Sequence, residues 1–484
     1  MTDICLITDT PEFHSDLCDE IRLFFPEKKI PAAERPSEKG LSVKTICRES
    51  SGKISVSATV YSDGRAAMNR RGSIDALFSG KLDRKKKIKY ILKHTLYRAL
   101  SCHTGIRPPW GSLTGIRPTK LTRDLLTQTD DPYTYIMDRY DVSVKKAGIA
   151  RKINEVQSGL ISEVSDSDID IYIGIPFCRT RCTYCSFISR EYGRNQVLKD
   201  QFLESLAREM MSLKPVYKGR NVRCLYIGGG TPTALEIGEF ASLLDLIGEL
   251  FPHIEEYTVE AGRPDTITDE NLRCMRDHGV MRISVNPQTT DDDTLMRIGR
   301  PYRNELFLEA YSKVASYGFE SINCDIILGL PGEDFGMMKK TLGDVAALRP
   351  HNITVHTLAI KNSSYLRDDP DVISASEDVG KACDYAYDML SSEGYDPYYL
   401  YRQKYMTGNH ENIGYARDGY LCRYNVDNME ETVSVLAFGA GAISKRIFAS
   451  ENRIERACNV KDLVAYCSRT EDMTARKKAL FGVL

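Results

Sequence analysis

The sequence predicts an α/β protein, a partial (β/α)6 barrel preceded by a small α+β domain. Three observations predict it: six short apolar, β-branched segments recur from Ile171 onward, helix-like stretches separate them, and residues 1 to about 165 follow a different rhythm. Buried strands alternating with helices are the pattern of a parallel sheet, because each parallel crossover must return the chain to the same end.

In the first region, DICLITD predicts a short strand, and SVKTICRES with KISVSATVYSD predicts a hairpin around Ser50, Ser51 and Gly52. The basic run from Arg84 to Lys87 reads as a solvated helix start, after which Ile88, Ile91, Leu92, Leu96 and Leu100 keep helical spacing. GIRPPWGSLTGIRPTK follows, in which Gly105-Ile106-Arg107-Pro108 recurs as Gly115-Ile116-Arg117-Pro118 around the single tryptophan, Trp110. Glycine and proline at that density predict a shaped loop. Residues 131 to 158 are expected to be helical, and polar SEVSDSDID closes the domain.

The expected strands are IYIGI (171 to 175), RCLYI (223 to 227), EYTVE (256 to 260), MRISV (281 to 285), INCDIIL (322 to 328) and NITVHTL (352 to 358). The expected domains are 1–165, 166–365 and 366–484. Ligands of parallel α/β proteins sit beyond the carboxyl ends of the strands.

Composition narrows the partners. Of 484 residues, 65 are Lys or Arg and 67 are Asp or Glu, so no global field draws in nucleic acid or a membrane surface, and nucleic acid is not an expected partner. The first residues lack a positive segment before an apolar run, and no apolar stretch approaches the roughly 18 residues of a membrane span, so a cytoplasmic protein is expected. Fourteen cysteines there argue for reduced thiols or a metal centre over disulfides, and eleven scattered ones read as small buried residues.

The other three stand in PFCRTRCTYCSF as Cys178, Cys182 and Cys185, directly after the first expected strand. Structural zinc takes four ligands and a [4Fe-4S] cluster usually takes four cysteines. Three thiolates on one loop therefore fit a cluster with one iron left open, zinc with a distant fourth ligand, or thiols without a shared role. After the second strand comes GGGTPT, Gly228 to Thr233, a turn of the kind that offers backbone amides to an anionic group.

Together these words resemble the signature of radical S-adenosylmethionine enzymes. IYIGIPFC, LYIGGGTPT, CDIILGLPGE and LAFGAGAISKR resemble the oxygen-independent coproporphyrinogen III dehydrogenase family and its haem-chaperone relatives, over about residues 171 to 446. The opening domain with PPWGSLTGIRPTK resembles the HemZ-type branch. The resemblance implies a radical S-adenosylmethionine barrel with a C-terminal α+β extension. It implies that Cys178, Cys182 and Cys185 hold a [4Fe-4S] cluster whose open iron binds S-adenosylmethionine. Further cofactor contacts are implied at Tyr172, Tyr184, Gly229, Gly230, Thr231, Glu260, Gln288, Arg300, Asp325, Ala359 and Ile443.

By the same resemblance, a 5′-deoxyadenosyl radical takes hydrogen from a propionate of coproporphyrinogen III, and loss of carbon dioxide leaves a vinyl group. Partners would be the porphyrinogen, or haem, and an electron donor such as flavodoxin or ferredoxin. Arg107, Arg117 and Lys120, with Arg402 and Lys404 behind them, are the candidates for the substrate carboxylates. No residue is assigned a catalytic role. Phe187 stands where the best-characterised dehydrogenases have a fourth cysteine, as in the haem chaperones, and little chain remains for an extra C-terminal helical domain. Two rival readings follow: a haem chaperone, with His356 and His410 as candidate ligands, and a radical enzyme for another substrate.

Overall fold

The computed structural model describes residues 4–26, 29–115, 117–187, 190–193, 196–361, 364–368, 376–404, 406–451 and 453–483; Ile116 of the repeated motif is outside the described residues. By contacts the chain forms two units, Met1–Arg151 with Arg402–His410, and Lys152–Tyr401 with Glu411–Leu484.

In the first unit, β1 (Ile4–Thr8), β2 (Leu41–Ser50), β3 (Lys53–Ser62) and β4 (Arg65–Asp75) form one sheet in that order, the first pair parallel and the rest antiparallel. Both hairpin turns place two residues in the left-handed region, Ser51 and Gly52, then Asp63 and Gly64, whose twist matches that of the strands. Ile54, Val56, Ala58 and Val60 are buried on one face. The helix Lys81–Thr104 covers that face with Ile88, Ile91, Leu92, Leu96 and Leu100. It comes so close at Gly72 that a Cβ there would lie 2.4 Å from Thr95 Oγ1.

The sequence reading did not foresee β4, whose residues are exposed or half-buried and lack an apolar alternation. The expected helix from 131 to 158 is two, Pro132–Tyr140 and Val144–Ser162, because Asp141 turns left-handed (φ 59°) between them. The Gly/Pro loop is shaped, as expected. Trp110 is fully buried, and a Cβ on Gly111 would overlap the Tyr140 carbonyl. Arg402 is a strut of this loop, donating to the carbonyls of Leu113 and Asn409 with its guanidinium 5.5 Å from the Trp110 ring. Lys404 ion-pairs with Asp19 at 2.7 Å.

The second unit holds β5 (Asp168–Ile175), β6 (Phe177–Cys178), β7 (Arg190–Glu191), β8 (Asn221–Gly229), β9 (Ile254–Gly262), β10 (Arg282–Val285), β11 (Ser321–Leu328), β12 (Asn352–Thr357), β13 (Tyr395–Tyr401), β14 (Asn412–Arg417), β15 (Ser434–Phe438), β16 (Ile443–Phe448) and β17 (Arg453–Cys458). All six expected strands are present. β5, β8, β9, β10, β11 and β12 lie side by side in that order and run parallel, so each strand–helix unit adds on the same side, as barrel winding requires. The sheet is open. β14 and β13 extend it antiparallel beyond β12, and β15, β16 and β17 extend it beyond β5. The strands β13 to β17 therefore flank the parallel strands within one sheet, and by contacts the chain forms two units, with Arg402–His410 belonging to the first.

A buried carboxylate ties this flank to the barrel's first long helix, Gln196–Ser212. Glu209 accepts from Lys477 Nζ (2.6 Å), Tyr466 Oη (2.7 Å), Asn459 Nδ2 (2.9 Å) and the Gly439 amide (3.0 Å). Glu209 and Lys477 are both fully buried. Glu209→Ala leaves the ammonium without its partner and is expected to cost roughly 3–5 kcal/mol, read as a lower urea midpoint; a midpoint within experimental error of wild type would contradict this role.

Candidate functional site

The cysteine loop starts where β5 ends, and backbone bonds fix it before any thiol is placed. The Arg190 and Tyr192 amides donate to the Pro176 and Cys178 carbonyls (2.8 Å each). The Gly230 and Thr231 amides donate to the Ile175 and Phe177 carbonyls (2.7 Å each), and the Thr183 amide donates to Ile298 (3.0 Å). Arg263, just beyond β9, pairs both arms with Asp265 and points Nη1 at the Thr180 carbonyl (3.3 Å) and Cys182 Sγ (3.7 Å). The sequence reading missed Arg263, although it directly follows a strand end.

In GGGTPT the amides of Gly230 and Thr231 are spent on holding the cysteine loop. A Cβ on Gly230 would sit 2.5 Å from the Phe177 carbonyl oxygen and 2.8 Å from that of Ile175, so this glycine is required by the approach of the two backbones. Thr231 adds a hydroxyl 3.4 Å from Cys178 Sγ.

The three thiols are electrostatic neighbours of one another. Among the described residues, the only donor trio within 4.8 Å is Asp170, Cys224 and Asp427. At least one pair of the loop thiols is therefore more than 4.8 Å apart. Burial pushes the Cys178 thiol up to about 11 and raises that of Cys185. Arg263 opposes this at Cys178, and Arg181 and Arg300 oppose it at Cys185, so the cations offset part of the burial that disfavours the thiolates metal binding needs.

Around them lie polar groups buried for a polar ligand. Arg300, 3 % exposed, donates to Tyr302 Oη (3.0 Å) and Tyr184 Oη (3.4 Å), while its Nε is buried without a partner. Gln288 adopts a left-handed backbone (φ 67°), its amide donating to Asp325 O (3.0 Å), and its side-chain Oε1 is likewise buried and unpartnered. Burying such atoms unpaired costs about 1–3 kcal/mol each, a cost that a bound zwitterion with hydroxyls removes.

Carboxylates gather on the adjoining strands. Glu260 accepts from Tyr226 Oη at 2.5 Å, and its carboxyl is pushed up to about 7, chiefly by burial, with Asp325 adding to the shift. Burial opposes ionisation of Asp325, yet His356 (3.8 Å), Asn323 and Thr354 hold its carboxyl below the usual range. Asn286 Nδ2 donates to it at 2.7 Å. Tyr172 stacks on Tyr226 (6.4 Å), which stacks on Tyr424 (4.5 Å). Tyr226, Asn286 and Tyr424 were not singled out from the sequence.

The remaining expected residues are less gathered. Ala359 follows β12 half-buried, and Ile443 opens β16 44 % exposed. His356 faces Asp325 and Tyr401 Oη (3.3 Å), and His410 is in the other unit. Arg107, Arg117 and Lys120 also belong to that unit, where Arg107 is exposed, Arg117 precedes the helix Pro118–Leu125, and Lys120 pairs with Asp124 at 3.0 Å.

Strand-ordered parallel winding, with a three-cysteine loop after its first strand, defines the radical S-adenosylmethionine class. The family model described as the Radical SAM superfamily matches residues 172–345. The chain is 35 % identical over 404 residues to the oxygen-independent coproporphyrinogen-III oxidase-like protein HemZ of Bacillus subtilis, covering 81 % of each chain. It belongs to that family. It is also 27 % identical over 298 residues to the haem chaperone HemW of Escherichia coli, covering 60 % of this chain and 74 % of that protein. Among solved structures, coproporphyrinogen III oxidase HemN of Escherichia coli, described as a radical SAM enzyme, matches 65 % of this chain and 72 % of its own with a TM-score of 0.53 at 22 % identity, a likeness of fold. The chain's cofactors are a [4Fe-4S] cluster and S-adenosylmethionine. No helix among the described residues is long and apolar enough to cross a membrane.

Two outcomes follow. Gly230→Ala should unseat the cysteine loop, so that anaerobic reconstitution yields well under half of the wild-type iron content; full loading would refute the steric account. Glu260 binds its proton more tightly in the folded state, so its stabilisation is complete below pH 4.5 and is lost as pH rises through about 7. Glu260→Gln should flatten the fall in denaturation midpoint between pH 5 and 8, worth about 3 kcal/mol at full effect; an unchanged slope would contradict it.

Proposed function

We propose that this chain carries out the anaerobic oxidative decarboxylation of coproporphyrinogen III propionates to vinyl groups, giving protoporphyrinogen IX. The observation that carries the reading is the cysteine loop seated by Gly230 and Thr231 beside the buried, unpartnered atoms of Arg300 and Gln288, in a chain of the HemZ family.

Cys178, Cys182 and Cys185 are the residues that would hold the cluster, and three ligands would leave one iron for S-adenosylmethionine. Bound there and given one electron, S-adenosylmethionine supplies a 5′-deoxyadenosyl radical. Arg300 and Gln288 supply a cation and an amide to its polar groups. Tyr184, packed among Leu295, Ile298, Leu330 and Leu366, keeps water from the loop. Glu260 and Asp325 face the same strand ends with opposite tendencies, one protonated near neutrality and one ionised, which lets the pair meet both a hydroxyl and a cation.

The vinyl double bond joins the two methylene carbons of a propionate, so hydrogen leaves the carbon next to the pyrrole. Carbon dioxide and one electron leave next, the electron passing to an acceptor. The reading carries with it a cytoplasmic location and a low-potential donor such as flavodoxin or ferredoxin.

A second reading, a haem-binding chaperone on the same scaffold, is favoured by Phe187, 66 % exposed at the end of the cysteine motif, and by the similarity to HemW. Anaerobic incubation of reconstituted protein with reductant, S-adenosylmethionine and coproporphyrinogen III separates the two. Deoxyadenosine with vinyl-bearing product supports the dehydrogenase. Stable haem binding with neither product supports the chaperone, and deoxyadenosine without vinyl product points to another substrate. Cys182→Ala should lose the cluster absorbance and all deoxyadenosine formation.

A further inference from the structure

The amino-terminal halves of the parallel strands hold a second cluster of buried polar groups, apart from the cysteine loop. Asp170 on β5 stands beside Cys224 on β8, and Cys224 beside Glu256 on β9, by strand register. Asp427, in the helix Arg423–Glu430, reaches the same place. One donor atom from each of Asp170, Cys224 and Asp427 lies within 4.8 Å of the other two, and all three residues are buried. The carboxyl end of β5, at Ile175, is about 16 Å farther along the strand at roughly 3.3 Å per residue, so this cluster is separate from the cofactor site.

Among the described residues of this cluster, every charged group but Asp170 has a partner. Arg223 Nε donates to Asp427 Oδ2 (2.9 Å) and its Nη1 is 3.9 Å from Asp168, while Thr432 Oγ1 donates to Asp427 Oδ1 (2.8 Å). Glu256 accepts from the Arg423 and Tyr424 amides (3.0 and 3.1 Å), with Arg282 3.7 Å away. Asp170 is fully buried, and neither of its oxygens accepts a hydrogen bond. The Cys224 thiol eases its charge without reaching it in hydrogen-bond geometry. The carboxylates of Asp427 and Glu256 act against that charge, and Arg223 alone of the cations acts for it. A carboxylate so placed is strongly unfavourable unless a further cation or a proton answers it.

We infer that Asp170, Cys224 and Asp427 bind one zinc ion, a structural site that ties the helix Arg423–Glu430 to β5 and β8. Two carboxylates and a thiolate suit a borderline-soft dication, whereas magnesium and calcium take oxygen donors. Cys224 Sγ and Asp427 Oδ2 are 4.0 Å apart, less than the sum of a zinc–sulfur and a zinc–oxygen bond, about 4.3 Å, so one ion can touch both. Both oxygens of Asp170 are open, and binding through the pair brings the donor atoms to the four that a structural zinc takes. Arg223 and Thr432 hold the Asp427 carboxylate from outside, as the outer partners of a metal ligand do. Zinc releases the Cys224 proton to solvent on binding, and the two carboxylates and the thiolate then balance the dication and Arg223. A proton on Asp170 would remove the charge but leave one of its oxygens bare. The site is enclosed, so the ion enters as the helix docks during folding.

The test is metal analysis of the full chain, produced and anaerobically reconstituted with zinc present and then desalted. One zinc per chain is expected beside the iron, and X-ray absorption at the zinc edge should show one sulfur neighbour at about 2.3 Å with oxygens completing the shell. Cys182→Ala, which loses the iron cluster, should keep the zinc. Asp170→Asn, equal in size, should lower the zinc content at least tenfold and keep the iron. Where that variant does not fold, Cys224→Ser carries the test, and the zinc edge should lose its sulfur neighbour or the zinc itself. Wild type without zinc overturns the inference and leaves a proton as the partner of Asp170. Zinc with two or three sulfur neighbours, or zinc lost in Cys182→Ala, also overturns it, because that ion sits in the cysteine loop. Zinc content and sulfur neighbour unchanged in the variants would do the same.

Discussion

The second unit depends on one close approach, that of Gly230 and Thr231 to Ile175 and Phe177. At this point the backbone leaving β8 runs against the backbone leaving β5 with no room for a side chain, and two amides bond across the gap. Everything chemical hangs from that join. It turns the chain after Pro176 so that three thiols emerge on one loop, and it places Thr231 against the first of them. Arg263 and the Thr183–Ile298 bond then close the loop from the other side.

Burial supplies the second constraint, acting through charge. The strand ends hold Glu260, Asp325, Arg300 and Arg263 in one interior, and each is assigned a different state by its neighbours. Burial, with the Asp325 charge, leaves Glu260 holding its proton up to about 7, against the hydrogen bond from Tyr226. His356 and the amides around Asp325 keep it ionised. Arg300 spends part of its fork on Tyr184, Tyr302 and the Asn286 carbonyl and keeps one nitrogen unspent. A site so arranged distinguishes amine, carboxylate and hydroxyl by position, which a cofactor with all three requires.

Legibility in the sequence followed the physics of each element. The six parallel strands are buried on both faces, so their apolar runs stood out, and all six were found. β4 escaped because its side chains meet water, even though Asp63-Gly64 before it is the two-residue turn that joins hairpin strands. The break at Asp141 escaped because a single left-handed residue leaves the helical pattern on either side intact. Arg402 looked like a free cation in YLYRQKY and is instead buried against Trp110 and three carbonyls, since nothing local reveals a partner almost three hundred residues away.

The sequence alone determined the class of chemistry, because three cysteines spaced on one loop and a glycine-rich turn after the next strand are local features whose meaning survives without coordinates. It also located the six parallel strands, since their apolar runs are interrupted by helices. Only the tertiary structure decided how that turn is used. The amides of Gly230 and Thr231 reach the carbonyls of a neighbouring backbone, a fact set by the distance between two strand ends. It alone joined the last hundred residues to the barrel through the buried Glu209–Lys477 pair.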